Sequence, residues 1–244
     1  MTEAEWLDCN NPQKMLVFLA RPPAERRMLL FAVACCKRVE ALLIDERCVE
    51  ALRRLGRLAE GGLDPAESDE GSKLAYEAIR TIGRSQLELD RRRRSGVPSA
   101  DLKDEAARLS RLDNAAWAVY TALMGAKYQT LPVPYSYGPV SLMNRCRNAL
   151  GNEPDAERKY HANVLRDIFG NPVRPVTLDP AWLTPKVVAL AQDVYDNRTF
   201  VRLPLLADAL EQAGCNNADI LAHCRGPGPH VLGCWLVDLI LGKE

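Results

Sequence analysis

The sequence predicts an all-α protein, built as one multi-helix array or as two helical bundles. Leu, Ala and Arg dominate while aromatic residues make up only 6%, and Ala and unbranched side chains lose little rotamer freedom in a helix. Apolar residues recur at spacings of three and four along most of the chain, as in a helix with one buried stripe. No segment alternates as a half-buried strand does. With 244 residues, 47% of them apolar, the chain is long enough to bury a sizeable core.

The elements follow from local signals. Thr2 and Glu5 have capping-box spacing, so a short helix starts at once. Asn11-Pro12 restarts the chain before the apolar face of Met15, Leu16, Phe18 and Leu19, and Pro22-Pro23 ends it. Pro23 suits the first turn of the next helix, where its missing N–H costs nothing. That helix carries Leu29, Val33, Cys36, Val39 and Leu43 at spacings of three and four. Phe31 and Cys35 widen the stripe, which predicts the most buried helix of the protein. Asp45 caps a helix through Val49, Leu52, Leu55 and Leu58, closed by Gly61-Gly62. Asp64-Pro65 opens a helix to about residue 82, and a polar helix covers about 84–94. After the turn Ser95-Gly96-Val97-Pro98, Ser99 caps a long helix through Leu102, Leu112, Val119 and Leu123, with Gly125 at its end.

Residues 126–140 hold Pro132, Pro134 and Pro139 with Tyr128, Tyr135 and Tyr137. Prolines at that density exclude a regular helix. The segment reads as the join between an N-terminal helical half, 1–125, and a C-terminal half, 141–244. In the second half, helices are expected near 141–150 and from Pro154 to Phe169, with Gly170-Asn171-Pro172 as the stop. Thr184-Pro185 has an N-cap and first-turn signature ahead of Val187, Leu190, Ala191 and Val194. Helices near 201–213, 217–224 and 230–241 complete the chain.

Charge and cysteine content restrict function. Net charge is zero, so nothing draws the whole molecule to nucleic acid or to an anionic membrane. No run approaches the roughly 18 apolar residues of a membrane helix. The acidic start Met1-Thr2-Glu3-Ala4-Glu5 is not a secretory signal. The expected address is the cytoplasm, where the eight cysteines stay reduced.

The densest chemistry lies near the end. Cys215, His223, Cys224, His230 and Cys234 fall within 20 residues. Cys and His are the ligands of borderline metals. With a helix starting near His230, His230 and Cys234 would share a face. The loop Arg225-Gly226-Pro227-Gly228-Pro229 would fold them back onto Cys215 and His223 or Cys224, giving a tetrahedral zinc set. The simpler reading carries more weight at this point. No C-x-x-C pair is present, buried Cys behaves as a small hydrophobe, and the histidines can bond carbonyls at helix ends. Arg225 is a candidate for holding a carboxylate or phosphate, or else pairs with a surface acid.

Other candidates are weaker. From Arg84 to Arg111 there are eight basic and five acidic residues, a net of about +3, centred on Arg91-Arg92-Arg93-Arg94. Interleaved acids and the absence of an aromatic platform make a solvated helix end the better reading. Cys35-Cys36 lies on an apolar helix with no His in the first half, a poor setting for a nucleophile. Tyr135 and Tyr137 could form an aromatic surface for a protein partner, or pack the two halves together. Trp6, Trp117, Trp182 and Trp235 read as core anchors, with Trp235 on a C-terminal helix that closes the second half's core.

The blocks Met1-Thr2-Glu3-Ala4-Glu5-Trp6-Leu7, Leu30-Phe31-Ala32-Val33-Ala34-Cys35-Cys36-Lys37-Arg38, Leu165-Arg166-Asp167-Ile168-Phe169-Gly170-Asn171-Pro172 and Ala222-His223-Cys224-Arg225 with Pro229-His230 and Gly233-Cys234-Trp235 resemble those of an uncharacterised, lineage-expanded bacterial family of planctomycete type. Leu203-Pro204-Leu205-Leu206-Ala207-Asp208-Ala209-Leu210-Glu211 resembles a short helical companion module of large bacterial repeat proteins. The resemblance implies a helical fold and a cytoplasmic address, and it implies no activity, cofactor or site. The expected function is therefore a non-enzymatic helical interaction or scaffold module with a protein partner. No residue set supplies a nucleophile, a base and an oxyanion donor together. The alternative is a metal- or small-ligand-binding protein centred on 215–235, with zinc as the candidate ion and no other cofactor.

Overall fold

The computed structural model describes residues 1–19, 25–61, 65–96, 99–127, 138–151 and 153–243. Every regular element among them is helical, and the all-α class read from the sequence holds. The α-helices are α1 (Glu3–Asp8), α2 (Pro12–Leu19), α3 (Glu25–Arg38), α4 (Glu46–Gly61), α5 (Pro65–Arg94) and α6 (Ser99–Lys127), followed by α7 (Pro139–Leu150), α8 (Pro154–Phe169), α9 (Pro185–Asn197), α10 (Leu203–Gln212), α11 (Ala218–Arg225) and α12 (Trp235–Leu241). Short 3-10 turns occupy Glu40–Leu42, Pro180–Trp182 and Phe200–Arg202. Among the described residues no helix is long and apolar enough to cross a membrane.

Packing divides the chain into two units that differ from the expected halves. One is the contiguous stretch Ala32–Glu157; the other combines Met1–Phe31 with Arg158–Glu244. The boundaries therefore fall inside α3 and α8. Most of the proposed join, with Tyr135 and Tyr137, lies outside the described residues.

In the contiguous unit, α5 packs on α4 and α6, and α6 on α7. Leu52, Leu55, Leu102, Val119 and Leu123 are buried there. A Cβ on Gly71 would lie 3.1 Å from Leu123 Cδ1, so glycine permits close approach of α5 and α6. The Ser68 hydroxyl donates to Leu123 O nearby at 3.0 Å. α5 runs through Gly83 as one helix where two were expected. A lone glycine costs only about 1 kcal/mol in a helix interior, less than the packing of a long helix returns. Arg91 to Arg94 form its last turn, with Arg92 bonded to Glu105 at 2.8 Å and Arg91 to Glu88 at 3.4 Å. The basic run thus ends a helix with exposed side chains, three of them paired with acids.

The expected burial of α3 holds. Leu29 through Cys36 are all buried. The helix stops at Arg38, and a 3-10 turn carries Glu40–Leu42 in place of the expected continuation. Burial pushes the Cys35 and Cys36 thiols well above the ordinary cysteine value, which removes them as nucleophiles. Seven of the eight cysteines are buried, and Cys9 alone is intermediate. Native protein should accordingly react with an aromatic disulfide reagent at Cys9 first, with the other thiols appearing only on unfolding. Rapid modification of more than one thiol in the native state would contradict this burial pattern.

The discontiguous unit is tied together at α1. Its capping box is formed: Glu5 N–H donates to Thr2 Oγ1 at 3.2 Å and Thr2 N–H to Glu5 Oε2 at 2.7 Å. Trp6 is fully buried and donates its indole N–H to Gly170 O at 2.9 Å. Arg166 returns from α8 to the carbonyls of Trp6 and Cys9. Asn171 and Arg174 both donate to Glu3 Oε1, at 2.7 and 2.9 Å. These bonds explain why the first helices belong with residues 158–244. α9, α10, α11 and α12 share one apolar core around Val187, Leu203, Leu206, Leu210, Ile220 and Leu236. On α12, Leu236, Val237 and Ile240 are buried, while Trp235 is only half-buried. The helix closes the core as expected, with Trp235 packed against it from a partly buried position.

Candidate metal centre

α8 supplies the first group. His161, Val164, Leu165 and Ile168 set its buried face, and Asp167 beside them is buried to 3% exposure. α11 supplies the second. Asn217 caps it, its Oδ1 accepting from the amides of Asp219 and Ile220. Ile220 and Cys224 enter the apolar core, which leaves His223 on the adjoining flank.

The third and fourth groups come from an irregular segment, not from a helix. The helix expected from His230 starts only at Trp235, so His230 and Cys234 do not share a helical face. Two backbone features explain the late start. Gly233 has φ +91°, and Cys234 is an N-cap with ψ 119°. Val231 N–H donates to Asp167 Oδ2 at 2.8 Å and thereby pins the segment to α8. A Cβ on Gly233 would lie 2.7 Å from Leu30 Cδ1. Gly233→Ala should cost about 2–4 kcal/mol, summing the left-handed backbone penalty and overpacking. Urea unfolding checks this, and a loss of only a few tenths of a kcal/mol would mean that the segment adjusts freely.

The result is a cluster of Asp167, His223, His230 and Cys234, whose ligand atoms all lie within 4.8 Å of one another. His230 Nδ1 is 2.7 Å from Asp167 Oδ1, and His223 Nε2 is 3.1 Å from Cys234 Sγ and 3.5 Å from Asp167 Oδ1. The two imidazoles meet edge to face at 4.9 Å. This set could hold a metal ion.

Electrostatics follow from burial. Burial raises the Asp167 carboxyl, against the lowering contributed by His230 and the Val231 amide. Burial opposes charge on His230, but the Asp167 carboxylate outweighs it and holds that ring above the ordinary histidine value. Burial, and then His230, push His223 down to about 3. Burial, and then Asp167, push the Cys234 thiol well up, while the amides of Val237 and Leu236 favour its charged form. Those amides face the sulfur without completing a capping bond.

Three of the four groups have surroundings suited to ligation. His230 keeps Nδ1 toward the cluster and sets Nε2 3.4 Å from Gly226 O, the outer bond that orients a ligating histidine. Asp167 has Oδ2 engaged by Val231 and Oδ1 turned inward. Cys234 has its two amides. His223 is set differently. The Trp235 indole N–H donates to its Nδ1 at 3.1 Å. An indole can only donate, so a neutral His223 carries its proton on Nε2, the nitrogen facing the cluster.

The structure thus brings together three of the five residues expected from sequence and adds Asp167. Cys215 and Cys224 lie in the apolar core with Ile220 and Leu210 and outside the cluster. Burial pushes the Cys224 thiol up to about 12, so it packs as a small hydrophobe. Arg225 is bonded to Glu211 and, at 3.0 Å, to Asp208, the surface-acid pairing rather than a ligand contact. The clue to Asp167 in the sequence was a carboxylate inside the run Asn163-Val164-Leu165-Arg166-Asp167-Ile168-Phe169. No protein-family model, curated protein or solved structure matches the chain.

Proposed function

We propose that this is a metal-binding helical protein whose Asp167, His223, His230 and Cys234 hold one zinc ion in a structural role. The observation that carries the reading is the convergence of four chemically suitable ligands, Asp167 and Cys234 buried and His223 and His230 partly buried. One thiolate, two imidazoles and one carboxylate suit a tetrahedral borderline ion better than calcium or magnesium, which take oxygen ligands. The centre is closed: four protein ligands leave no open position for a reacting water, as in structural rather than catalytic zinc sites. Its effect would be to fasten the irregular segment 226–234 to α8 and α11. We place the protein in the cytoplasm, where a reduced Cys234 stays available as a ligand.

Ligation by His223 Nε2 moves its proton to Nδ1, which the Trp235 indole N–H then opposes. Zinc therefore displaces the Trp235–His223 hydrogen bond in this reading. Elemental analysis of tag-free protein tests the proposal. One zinc per chain is expected, with Asp167→Asn and Cys234→Ala binding little. Metal-free protein that also fails to take up added zinc from a chromophoric competitor overturns it.

A second reading has its own support. Among the described residues, no buried side-chain nitrogen or oxygen of the cluster lacks a hydrogen-bond partner. The network is thus also consistent with a purely structural role in an interaction module that binds a protein partner. Protein that contains no zinc and is indifferent to chelators would favour that reading.

A further inference from the structure

A cavity of about 590 Å³ lies beside the cluster, lined by residues of the discontiguous unit alone. Its volume falls within the range of small-molecule sites, roughly 300–1,000 Å³. Most of its wall is apolar, with Trp6, Phe169, Trp235 and Leu239 prominent. Both indole N–H groups are already committed, Trp6 to Gly170 O and Trp235 to His223. The rings therefore offer apolar surface rather than donors.

The polar part of the wall is unbalanced. Arg27, Arg166 and Arg174 face the cavity against a single acid, Asp219. Arg174 is neutralised by Glu3 at 2.9 Å and Asp219 at 2.8 Å. Arg166 is bonded only to neutral acceptors, the carbonyls of Trp6 and Cys9 and the amide oxygen of Asn163. Burial without a bonded carboxylate lowers its basicity. Arg27 makes no hydrogen bond or ion pair among the described residues. The carboxylate that acts on it through space, Asp238, is bonded to the neighbouring Arg26. Among the described residues, two guanidinium groups beside this apolar cavity therefore lack a bonded carboxylate, Asp8 acting on Arg166 only through space. An anion with fork geometry would supply the missing bonded counter-charge.

We propose that this cavity binds an amphipathic organic monoanion, a carboxylate on an apolar body, with Arg27 as the anion anchor and Arg166 supporting it. The apolar body lies against Trp6, Phe169 and Trp235. The carboxylate end pairs with Arg27 and Arg166 rather than with the neutralised Arg174. The site does not require the ion. Only His223 among the cluster residues lines the cavity, so the proposal stands or falls separately from zinc.

Isothermal titration of the full chain with octanoate tests it, run on zinc-loaded and chelator-treated protein alike. Saturable one-to-one binding is expected in both. Octan-1-ol and octylamine should bind at least about tenfold more weakly, a difference of about 1.4 kcal/mol. Arg27→Gln should weaken octanoate by about tenfold or more, and Arg27→Lys, which keeps the charge but loses the fork, should weaken it by less than Arg27→Gln does. Circular dichroism and the Tm of each variant establish that it is folded. Octan-1-ol binding as tightly as octanoate, an unchanged affinity in folded Arg27→Gln, or an absence of saturable octanoate binding overturns the proposal. So does equal competition by inorganic phosphate, which would make this a bare anion site.

Discussion

With one zinc ion held as proposed, stripping it with a chelator is expected to lower the Tm by about 8–16 °C. An ion that binds only the folded state stabilises it by about 4 kcal/mol at a thousandfold excess over Kd. For a chain of this size each kcal/mol corresponds to roughly 2–4 °C. Asp167→Asn and Cys234→Ala should melt low with or without zinc. Tryptophan emission should change on zinc addition, because ligation through His223 Nε2, as proposed, would displace the Trp235 indole from Nδ1. A Tm independent of zinc, with no emission change, would return the cluster to a purely hydrogen-bonded role. The reagent is simple calorimetry in matched buffers, with tag-free protein so that no added histidines compete.

Loss of one half of the Arg26–Asp238 ion pair should be the costliest single change at the C-terminal helix. The guanidinium meets the carboxylate at 2.5 Å and also donates to Lys243 O at 3.1 Å, joining α3 to the end of α12. Asp238 is 6% exposed. Burial raises its carboxyl, and Arg26 is the main group opposing that shift. Arg26→Ala would leave a buried carboxylate without its partner, at a cost of about 3–5 kcal/mol. The pair is not fully satisfied, since Arg26 Nη2 and Asp238 Oδ1 lack hydrogen-bond partners. Replacing both residues by apolar ones, Arg26→Met with Asp238→Leu, should therefore cost less than Arg26→Ala alone. Denaturant unfolding of the single and double variants decides it. A double variant weaker than the single would show that the charges themselves stabilise the fold.

The helices were legible because their signals are local. Thr2 with Glu5, and Thr184 with Pro185, mark starts that need no knowledge of the rest of the chain. The stripe from Leu29 to Cys36 announced its burial through spacing alone. The metal candidate was half legible for the opposite reason. His223, His230 and Cys234 are close in sequence, so density pointed to them. Asp167 stands 56 residues before His223, and only the fold brings it near. Cys215 and Cys224 misled because thiols serve equally as ligands and as small apolar side chains, and spacing does not separate the two uses. The helix expected at His230 failed on the backbone of two residues: Gly233 has a left-handed φ and Cys234 is a non-helical N-cap, so the helix starts only at Trp235. The division into two units was hidden too, because the bonds from Gly170, Asn171 and Arg166 back to α1 join positions more than 150 residues apart.

That division imposes an order on biosynthesis. The stretch Ala32–Glu157 is contiguous and can complete its own contacts while the remainder is still being translated. The other unit needs both ends of the chain. Helix α1, with Trp6, is synthesised well before residues 166–171, to which it is bonded in the finished fold. At elongation rates of about 5–20 residues per second, the first helices precede the Cys234 segment by on the order of 10–40 s. During that interval Trp6, Met15, Leu30 and Phe31, all buried in the finished protein, remain uncovered on the nascent chain. Apolar side chains exposed for that long are prone to aggregation until the rest of their unit follows.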